Sequence, residues 1–304
     1  MRLTESAKGV FTIACTPFLE CGALDLFSID SMVDFYEEKG ATGLTILGIM
    51  GEAGKLSAEE AEATIKRVTR RTKLPVIVGV SSPGLASMTA LTDVAMENGA
   101  AGVMIAPPGS LKTDDQIVSY YQNVAEAVGE APWVIQDFPL VTNVVIPTKV
   151  ILQIVEDCPG CVMLKHEDWP GLDKISALRA ASDKGARRIS ILCGNGGQFL
   201  LEEMIRGADG AMTGFAYPEM MRDVVALMGA GDETQARDVF DAYLPLVRYE
   251  SQPGLGMAIR KHILARRGAI ATPTVRTPGP KLNAAAEAEI ETLIARQEAR
   301  LAAL

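Results

Sequence analysis

The architecture of this chain is easiest to infer from one stretch, Val162-Met163-Leu164-Lys165-His166-Glu167-Asp168. An apolar run that ends in a lysine and is followed by polar residues is typical of a buried strand. A lysine at the carboxyl end of such a strand lies at the rim of the core, where burial disfavours the charged form and leaves an amine that can attack a carbonyl. Lys165 is therefore a candidate nucleophile. The alternative is an ordinary exposed lysine just past a strand.

Similar apolar runs recur along the chain, and most are continuous rather than alternating with polar residues. This is the pattern of parallel strands that are buried on both faces. The predicted strands are Gly9–Ala14, Gly43–Leu47, Val76–Val80, Val103–Ala106, Trp133–Asp137, Val162–Lys165, Ile189–Leu192 and Ala211–Thr213.

Segments with helical periodicity fill the gaps between these strands. Ser57-Ala58-Glu59-Glu60 is a capping box that marks a helix start, and glycine follows several predicted helix ends. The predicted helices are Ile29–Lys39, Ala58–Arg71, Leu85–Asn98, Asp114–Val128, Thr148–Val155, Leu172–Ser182 and Gln198–Arg206. Eight strands that alternate with helices predict a (β/α)8 TIM barrel. An open doubly wound sheet is less favoured, because no G-x-G-x-x-G follows the first strand.

Further helical patterns follow the last predicted strand. They are Tyr217–Met228, Glu233–Tyr249, Gly256–Arg267 and Ala284–Leu301. One of them completes the barrel, and the others form a C-terminal helical extension. The chain is thus predicted to divide into a catalytic barrel over residues 1–230 and an extension over residues 231–304, separated near Gly229-Ala230-Gly231.

Composition narrows the class of protein. The 304 residues are 48% hydrophobic, and 38 acidic against 29 basic residues give a formal net charge of −9. This balance argues against nucleic acid or an anionic membrane as a partner. No membrane-spanning segment or signal peptide is evident, so we expect a cytoplasmic protein.

Cysteine and histidine usage argues against a metal centre. The five cysteines do not suggest a disulfide framework, and the chain has only two histidines, His166 and His262. Cys158-Pro159-Gly160-Cys161 has no second C-x-x-C to accompany it, so a turn that leads into a strand is the favoured interpretation. We expect no metal and no cofactor.

In a TIM barrel the active site lies at the carboxyl ends of the strands. This rule selects residues after individual strands without reference to any motif. The selected positions include Ile49, Met50 and Gly51 after the second strand, Ser81 after the third, Gln136 at the end of the fifth, Lys165, and Thr213 and Gly214 after the eighth. The glycine-rich Gly194-Asn195-Gly196-Gly197 could bind an anion or form a tight turn.

Several of these segments occur in the order seen in one known family. Thr16-Pro17-Phe18 resembles the T-P-F of dihydrodipicolinate synthases and N-acetylneuraminate lyases. Gly48-Ile49-Met50-Gly51-Glu52, followed by Leu56-Ser57-Ala58-Glu59-Glu60, is similar to their G-[TS]-[TS]-G-E…L-S-x-E-E. With Lys165 in its apolar strand, the resemblance covers roughly residues 8 to 250.

This resemblance implies a class I aldolase that is a homodimer or homotetramer. Lys165 would form a Schiff base with pyruvate or another 2-keto acid, and the turn at Ile49-Met50-Gly51 would bind the carboxylate through its backbone N–H groups. Glu52 follows this turn and leads into the capped helix, so we expect it to stabilise the loop and the helix terminus rather than act on substrate.

The departures from the family concern proton transfer. The family's Y-N-x-P reads Gln136-Asp137-Phe138-Pro139, its paired hydroxyls read Ile49-Met50, and its arginine for the aldehyde substrate has no counterpart in Leu140-Val141-Thr142. We therefore expect little dihydrodipicolinate synthase activity.

The Q-D-x-P form and Gly210-Ala211-Met212-Thr213-Gly214 resemble instead the 2-keto-3-deoxy sugar-acid dehydratases, notably those acting on 2-keto-3-deoxyarabonate. By this resemblance Gln136 would hydrogen-bond a substrate hydroxyl. Ser81, Thr213 and Glu167 are the candidates for the acid/base residue. Three functions stay open: a dehydratase or aldolase acting on a 2-keto-3-deoxy sugar acid, a synthase-like enzyme that condenses pyruvate with an aldehyde, and a binding or regulatory paralogue.

His166 and Asp137 alternate with Lys165 and Gln136 along their strands. We therefore expect their side chains to point away from the barrel centre.

Overall fold

The computed structural model describes residues 2–168 and 171–304. Eight parallel strands close into a barrel in chain order, with β8 paired to β1. The strands are β1 (Gly9–Ile13), β2 (Gly43–Ile46), β3 (Val76–Gly79), β4 (Gly102–Ile105), β5 (Trp133–Asp137), β6 (Cys161–His166), β7 (Ser190–Cys193) and β8 (Gly210–Ala211). The predicted TIM barrel is confirmed.

Helices connect the strands and surround the barrel. They are α1 (Leu26–Glu38), α2 (Ala58–Arg71), α3 (Leu85–Glu97), α4 (Asp114–Val128), α5 (Pro139–Thr142), α6 (Thr148–Asp157), α7 (Leu172–Asp183), α8 (Leu200–Ile205), α9 (Pro218–Ala230), α10 (Glu233–Glu250), α11 (Gly256–Arg266) and α12 (Ala284–Leu301). The short α5 directly after β5 was not predicted.

Local capping explains where the helices begin. The capping box at Ser57 and Glu60 is present, since the Ser57 hydroxyl accepts from the Glu60 N–H and the Glu60 carboxylate accepts from the Ser57 N–H. Helix α1 begins earlier than predicted, because the Asp25 side chain accepts from the N–H groups of Phe27 and Ser28.

Strand alternation separates two apolar layers. One apolar cluster fills the inside of the barrel, and the remaining apolar side chains pack between the strands and the helices. The interior cluster consists of Leu3, Phe11, Ile13, Ile77, Ala101, Met104, Val134, Val162, Met163, Leu192 and Met212. A filled interior leaves the carboxyl ends of the strands as the place for a site.

The helices after β8 have two roles. Helix α9 packs on β1 and β8 and thereby completes the barrel, whereas α10 packs on α9, α11 and α12. The division between barrel and extension at Ala230/Gly231 agrees with this arrangement and stays a proposal. Among the described residues, no helix combines the length and the apolar character needed to cross a bilayer.

Candidate active site

Lys165 points into the barrel from β6. Met163, two residues earlier, belongs to the interior cluster, and alternation along the strand gives Lys165 the same orientation. Gln136 is its register partner on β5 and follows the inward-pointing Val134 by two residues. Both Lys165 and Gln136 are buried. The strand pairing therefore brings together the two residues predicted to be catalytic.

Glu167 joins them, because the ladder between β5 and β6 continues for one more residue. Its N–H donates to the Asp137 carbonyl at 2.9 Å, so its side chain lies on the same side as that of Lys165. Oε2 of Glu167 lies 3.1 Å from Nζ of Lys165 and accepts a hydrogen bond of 2.8 Å from Nε2 of Gln136. The side chains of Lys165 and Glu167 are each only 5% exposed. A buried carboxylate thus touches both the amine and the amide.

The turn after β7 holds this carboxylate from the other side. The N–H of Asn195 donates to Oε1 of Glu167 at 3.3 Å. A Cβ on Gly194 would lie 2.1 Å from Cγ of Glu167, so only glycine admits the carboxylate at this position. The segment Gly194–Gly197 is therefore a tight turn, and the anion that it faces is the protein's own Glu167.

The turn after β2 presents backbone N–H groups at the carboxyl end of the barrel. Ile49–Gly51 is a 3₁₀ turn, and the Gly51 carbonyl accepts a hydrogen bond of 2.5 Å from the Thr16 hydroxyl. Within the part of the chain that the structure describes, the N–H groups of Ile49 and Met50 donate to no backbone or side-chain acceptor. Ile49 is 45% exposed, while Met50 packs against the interior cluster. Two backbone donors are therefore available for a ligand.

Glu52, the residue after this turn, is held by protein groups. Its carboxylate accepts from the ammonium groups of Lys261 and Lys55 and from the N–H of Arg276. These contacts agree with the expectation that Glu52 stabilises the loop, which stays a prediction.

The remaining predicted positions have hydrogen-bond partners within the protein. The Ser81 hydroxyl accepts from the Ala106 N–H at 2.8 Å, and the Thr213 hydroxyl accepts from the Gly196 N–H at 2.8 Å. The Gly214 carbonyl accepts from the Arg260 guanidinium. In the described residues, neither Ser81 nor Thr213 has a hydrogen bond to Lys165, whereas Glu167 contacts its amine.

His166 and Asp137 face outwards, as the alternation predicts. The Asp137 carboxylate accepts from Lys174 of α7 at 2.6 Å, and Nδ1 of His166 lies 3.1 Å from the Glu203 carboxylate of α8. Burial raises the pKa of Asp137 to about 6, although the charge of Lys174 lowers it in part. Burial also opposes the charged form of His166, but Glu203 more than compensates and raises the pKa of the imidazole.

The cysteines form no bridge. All five are free, and only Cys21 is exposed. Cys158 and Cys161 flank the turn between α6 and β6, as expected from the sequence. In the ranges 2–168 and 171–304, no group of three or more His, Cys, Asp or Glu side chains is arranged to hold a metal ion.

A model of the Dihydrodipicolinate synthetase family matches residues 6–297, which is almost the whole chain. The chain belongs to the dihydrodipicolinate synthetase family. Members of this family are lyases of the class I aldolase type, and their names include synthases and dehydratases.

Individual relatives in this family carry different names. The chain is 27% identical over 306 residues to an L-2-keto-3-deoxyarabonate dehydratase of Azospirillum brasilense, with 96% of this chain and 95% of the relative covered. It is 31% identical to a 4-hydroxy-tetrahydrodipicolinate synthase of Sorangium cellulosum, with 96% and 97% covered. A crystal structure described as dihydrodipicolinate synthase of Rhodopseudomonas palustris is 53% identical and superimposes with a TM-score of 0.96, covering 97% of this chain and 99% of that one.

Sequence reasoning missed how these groups are held in place. Glu167 was one of three acid/base candidates, and the spacing of two residues from Lys165 was the signal that could have singled it out. The need for glycine at position 194 and the contacts of Arg260 and Lys261 with the barrel loops have no sequence signal, since each depends on residues far apart in the chain.

Proposed function

We propose that this protein is a Schiff-base-forming lyase that dehydrates a 2-keto-3-deoxy sugar acid. The observation that carries the proposal is the Glu167 carboxylate, 3.1 Å from Nζ of Lys165. The hydroxyl relay of the synthases and lyases is missing from this sequence, and a buried carboxylate beside the amine supplies the proton transfer that the relay would otherwise perform.

The first stage is capture of the ketone. The Lys165 amine attacks C2 of the 2-keto acid, and loss of that oxygen as water forms an imine. Glu167 is placed to take a proton from the amine and return it to the departing oxygen. The N–H groups of Ile49 and Met50 hold the substrate carboxylate, because they are free of other acceptors in the described residues.

The second stage is removal of water from the substrate. The protonated imine withdraws electrons from C2 and so acidifies the proton on C3. Glu167 takes this proton, and the electron pair forms an enamine. The C4 hydroxyl then leaves as the C3–C4 double bond forms, and the protonated Glu167 supplies its proton. Hydrolysis of the remaining imine releases the dehydrated 2-keto acid and the free amine.

Gln136 orients the carboxylate in this scheme. Its amide N–H donates to Oε2 of Glu167, the oxygen that lies nearest to Lys165. The resemblance implied a bond from Gln136 to a substrate hydroxyl. The bond to Glu167 adds a second role, which is to fix one carboxylate oxygen beside the reacting carbons.

A relative supports the dehydration of a sugar acid. The A. brasilense protein is named an L-2-keto-3-deoxyarabonate dehydratase and aligns over almost the full length of both chains. A five-carbon 2-keto-3-deoxy acid is therefore the first substrate to test.

The test is trapping followed by turnover. The protein is incubated with pyruvate or with a 2-keto-3-deoxypentonate and reduced with borohydride, and its intact mass is then measured by mass spectrometry. We expect one adduct per chain, which is absent in Lys165→Ala. We also expect conversion of the pentonate into a product that is lighter by one water. If no 2-keto acid gives an adduct, the lyase assignment is wrong and the binding or regulatory paralogue is favoured.

The second candidate is a synthase that condenses pyruvate with an aldehyde. The name of the R. palustris relative, 53% identical to this chain, favours it. Saturable formation of a cyclic product from pyruvate and aspartate semialdehyde would establish this activity. We expect only trace turnover, because Leu140-Val141-Thr142 offers no cation for the carboxylate of the aldehyde. For either reaction we propose a homodimer or homotetramer.

A further inference from the structure

Two consecutive residues of α11, in the C-terminal extension, have buried charged groups that bind loops of the barrel. Arg260 is 4% exposed and Lys261 is fully buried. Nζ of Lys261 donates to the carbonyls of Thr16 at 2.7 Å and Thr274 at 2.8 Å, and also to the Glu52 carboxylate. A single ammonium group therefore binds the loops after β1 and β2 at once.

Arg260 binds the loop after β8 in a similar way. Its guanidinium donates to the Gly214 carbonyl and to the Glu250 carboxylate of α10, the latter at 2.6 Å. The same Glu250 accepts a hydrogen bond of 3.0 Å from the Ala216 N–H. The loop after β8 is thus held at two points by a buried ion pair.

The contacted loop residues lie next to the predicted substrate positions. Glu52 directly follows Gly51, and the Thr16 hydroxyl donates to the Gly51 carbonyl. Gly214 directly follows Thr213, whose hydroxyl accepts from the Gly196 N–H beside the turn that holds Glu167. A shift of Lys261 would therefore change the geometry of the turn at 49–51, and a shift of Arg260 would change the loop after β8, which contacts the turn that holds Glu167.

Stability alone gives a weak reason for such contacts. Removing two charges from water costs several kcal/mol, and a buried pair often contributes no more than apolar residues of the same size would. Loop geometry gives a stronger reason, since a displacement of about 1 Å at a site can reduce the rate by about a hundredfold. We propose that Lys261 is a positioning residue that holds the loops after β1 and β2 in the geometry that binds the carboxylate of the 2-keto acid, while Arg260 holds the loop after β8.

This inference rests on the proposed function, and its test separates the two. Wild type and Lys261→Met are trapped with borohydride over a range of concentrations of pyruvate and, separately, of hydroxyacetone, which has a ketone but no carboxylate. We expect the half-saturating pyruvate concentration to rise by about ten- to a hundredfold in the variant, with hydroxyacetone trapping unchanged.

Arg266→Met is the matched control on the same helix, because that side chain is 38% exposed and pairs with Glu291 at the surface. This variant should trap pyruvate and hydroxyacetone as the wild type does. Thermal unfolding checks that each variant is folded. If Lys261→Met does not fold, Glu52→Gln replaces it, since Lys261 then keeps its carbonyl acceptors at Thr16 and Thr274.

The outcomes differ for the two proposals. A wild type that traps no 2-keto acid refutes the proposed function. A wild type that traps pyruvate, with Lys261→Met within about twofold of it, refutes the positioning role while leaving the lyase intact. Equal losses with pyruvate and hydroxyacetone also refute it, because they indicate general damage. Hydrogen exchange gives a readout independent of catalysis: peptides covering residues 48–56 should exchange faster in Lys261→Met, and unchanged exchange contradicts the inference.

Discussion

Glu167→Gln is the substitution that tests the proposed chemistry most directly. Glutamine has the shape of glutamate but cannot accept the C3 proton. It can place its carbonyl oxygen where Oε2 lies, and so keep the bonds from Lys165 and Gln136. Its NH₂ group then faces the Asn195 N–H, which in the wild type donates to Oε1 at 3.3 Å. The substitution thus removes one long hydrogen bond and the charge.

These contacts determine how much stability and how much turnover Glu167→Gln should lose. Losing a hydrogen bond to a carboxylate costs about 1.5–3 kcal/mol of stability and removing one partner of a buried ion pair about 3–5 kcal/mol, so thermal unfolding checks that the variant is folded. Loss of a general acid/base group lowers turnover by about 10²- to 10⁴-fold, which corresponds to about 3–5 kcal/mol in the barrier. Because the nucleophile is retained, the imine should still form, although more slowly, and can still be reduced.

The assay measures capture and turnover separately on one protein preparation. Borohydride trapping with pyruvate reports imine formation, and dehydration of a 2-keto-3-deoxypentonate reports the later proton transfers. Asp168→Asn is the control, because this neighbouring carboxylate pairs with Lys174 and not with Lys165. Asp168→Asn should retain both imine trapping and dehydration.

Two results would refute the reasoning. Turnover in Glu167→Gln within about threefold of wild type would show that another group transfers the proton. Loss of trapping together with turnover would show that imine formation itself requires Glu167, which contradicts the expected retention of capture.

Three further predictions concern other parts of the molecule. Gly194→Ala should lower turnover and cost about 1–3 kcal/mol in chemical unfolding, because its Cβ would lie 2.1 Å from Cγ of Glu167. Lys174→Met should destabilise the protein more at pH 8 than at pH 5 in urea unfolding, by up to about 3–5 kcal/mol, and adding Asp137→Asn should remove the pH dependence. We place Val145, an apolar side chain that is 63% exposed, in the proposed oligomer interface, so Val145→Asp should lower the solution mass measured by light scattering, and an unchanged mass contradicts this placement.

The sign of the Lys174 prediction follows from the pKa of Asp137. Burial raises that pKa from 3.8 to about 6, so the folded state binds the proton more tightly than the unfolded chain. The stability associated with this protonation is complete below the unfolded value and is lost as the pH rises through about 6. Without Lys174, the ionised carboxylate at pH 8 has lost its buried counter-charge, whereas at pH 5 it is largely neutral. Equal destabilisation at both pH values would contradict this account.

The barrel could be predicted because its signals are local. The residues of each continuous apolar run, of the capping box and of each glycine helix end lie close together in the chain, and the order of strands follows from chain order in this fold. The inward orientation of Lys165 and Gln136 follows from alternation along β5 and β6. The short helix α5 has only four residues, too few for a periodic signal.

The contacts within the site could not be predicted, because they join distant segments. Gly194 is glycine because of Glu167, and Glu52 is held by Lys261, which lies more than 200 residues further along the chain. A single sequence has no periodicity that connects such positions. The barrel places them together only once all eight strands have closed.

The order Lys-His-Glu accounts for how the site could keep its chemistry without the hydroxyl relay. Successive side chains of a strand point to opposite faces, so Lys165 and Glu167 share the barrel interior while His166 faces α8. A carboxylate two residues past the lysine therefore reaches the amine from its own strand, independently of the loops that carry tyrosine and threonine in the synthases. If Glu167 performs the proton transfer, those loops are free to change. Ile49-Met50 and Gln136-Asp137 would then be compatible with an active lyase, and the missing hydroxyls would not indicate a lost enzyme.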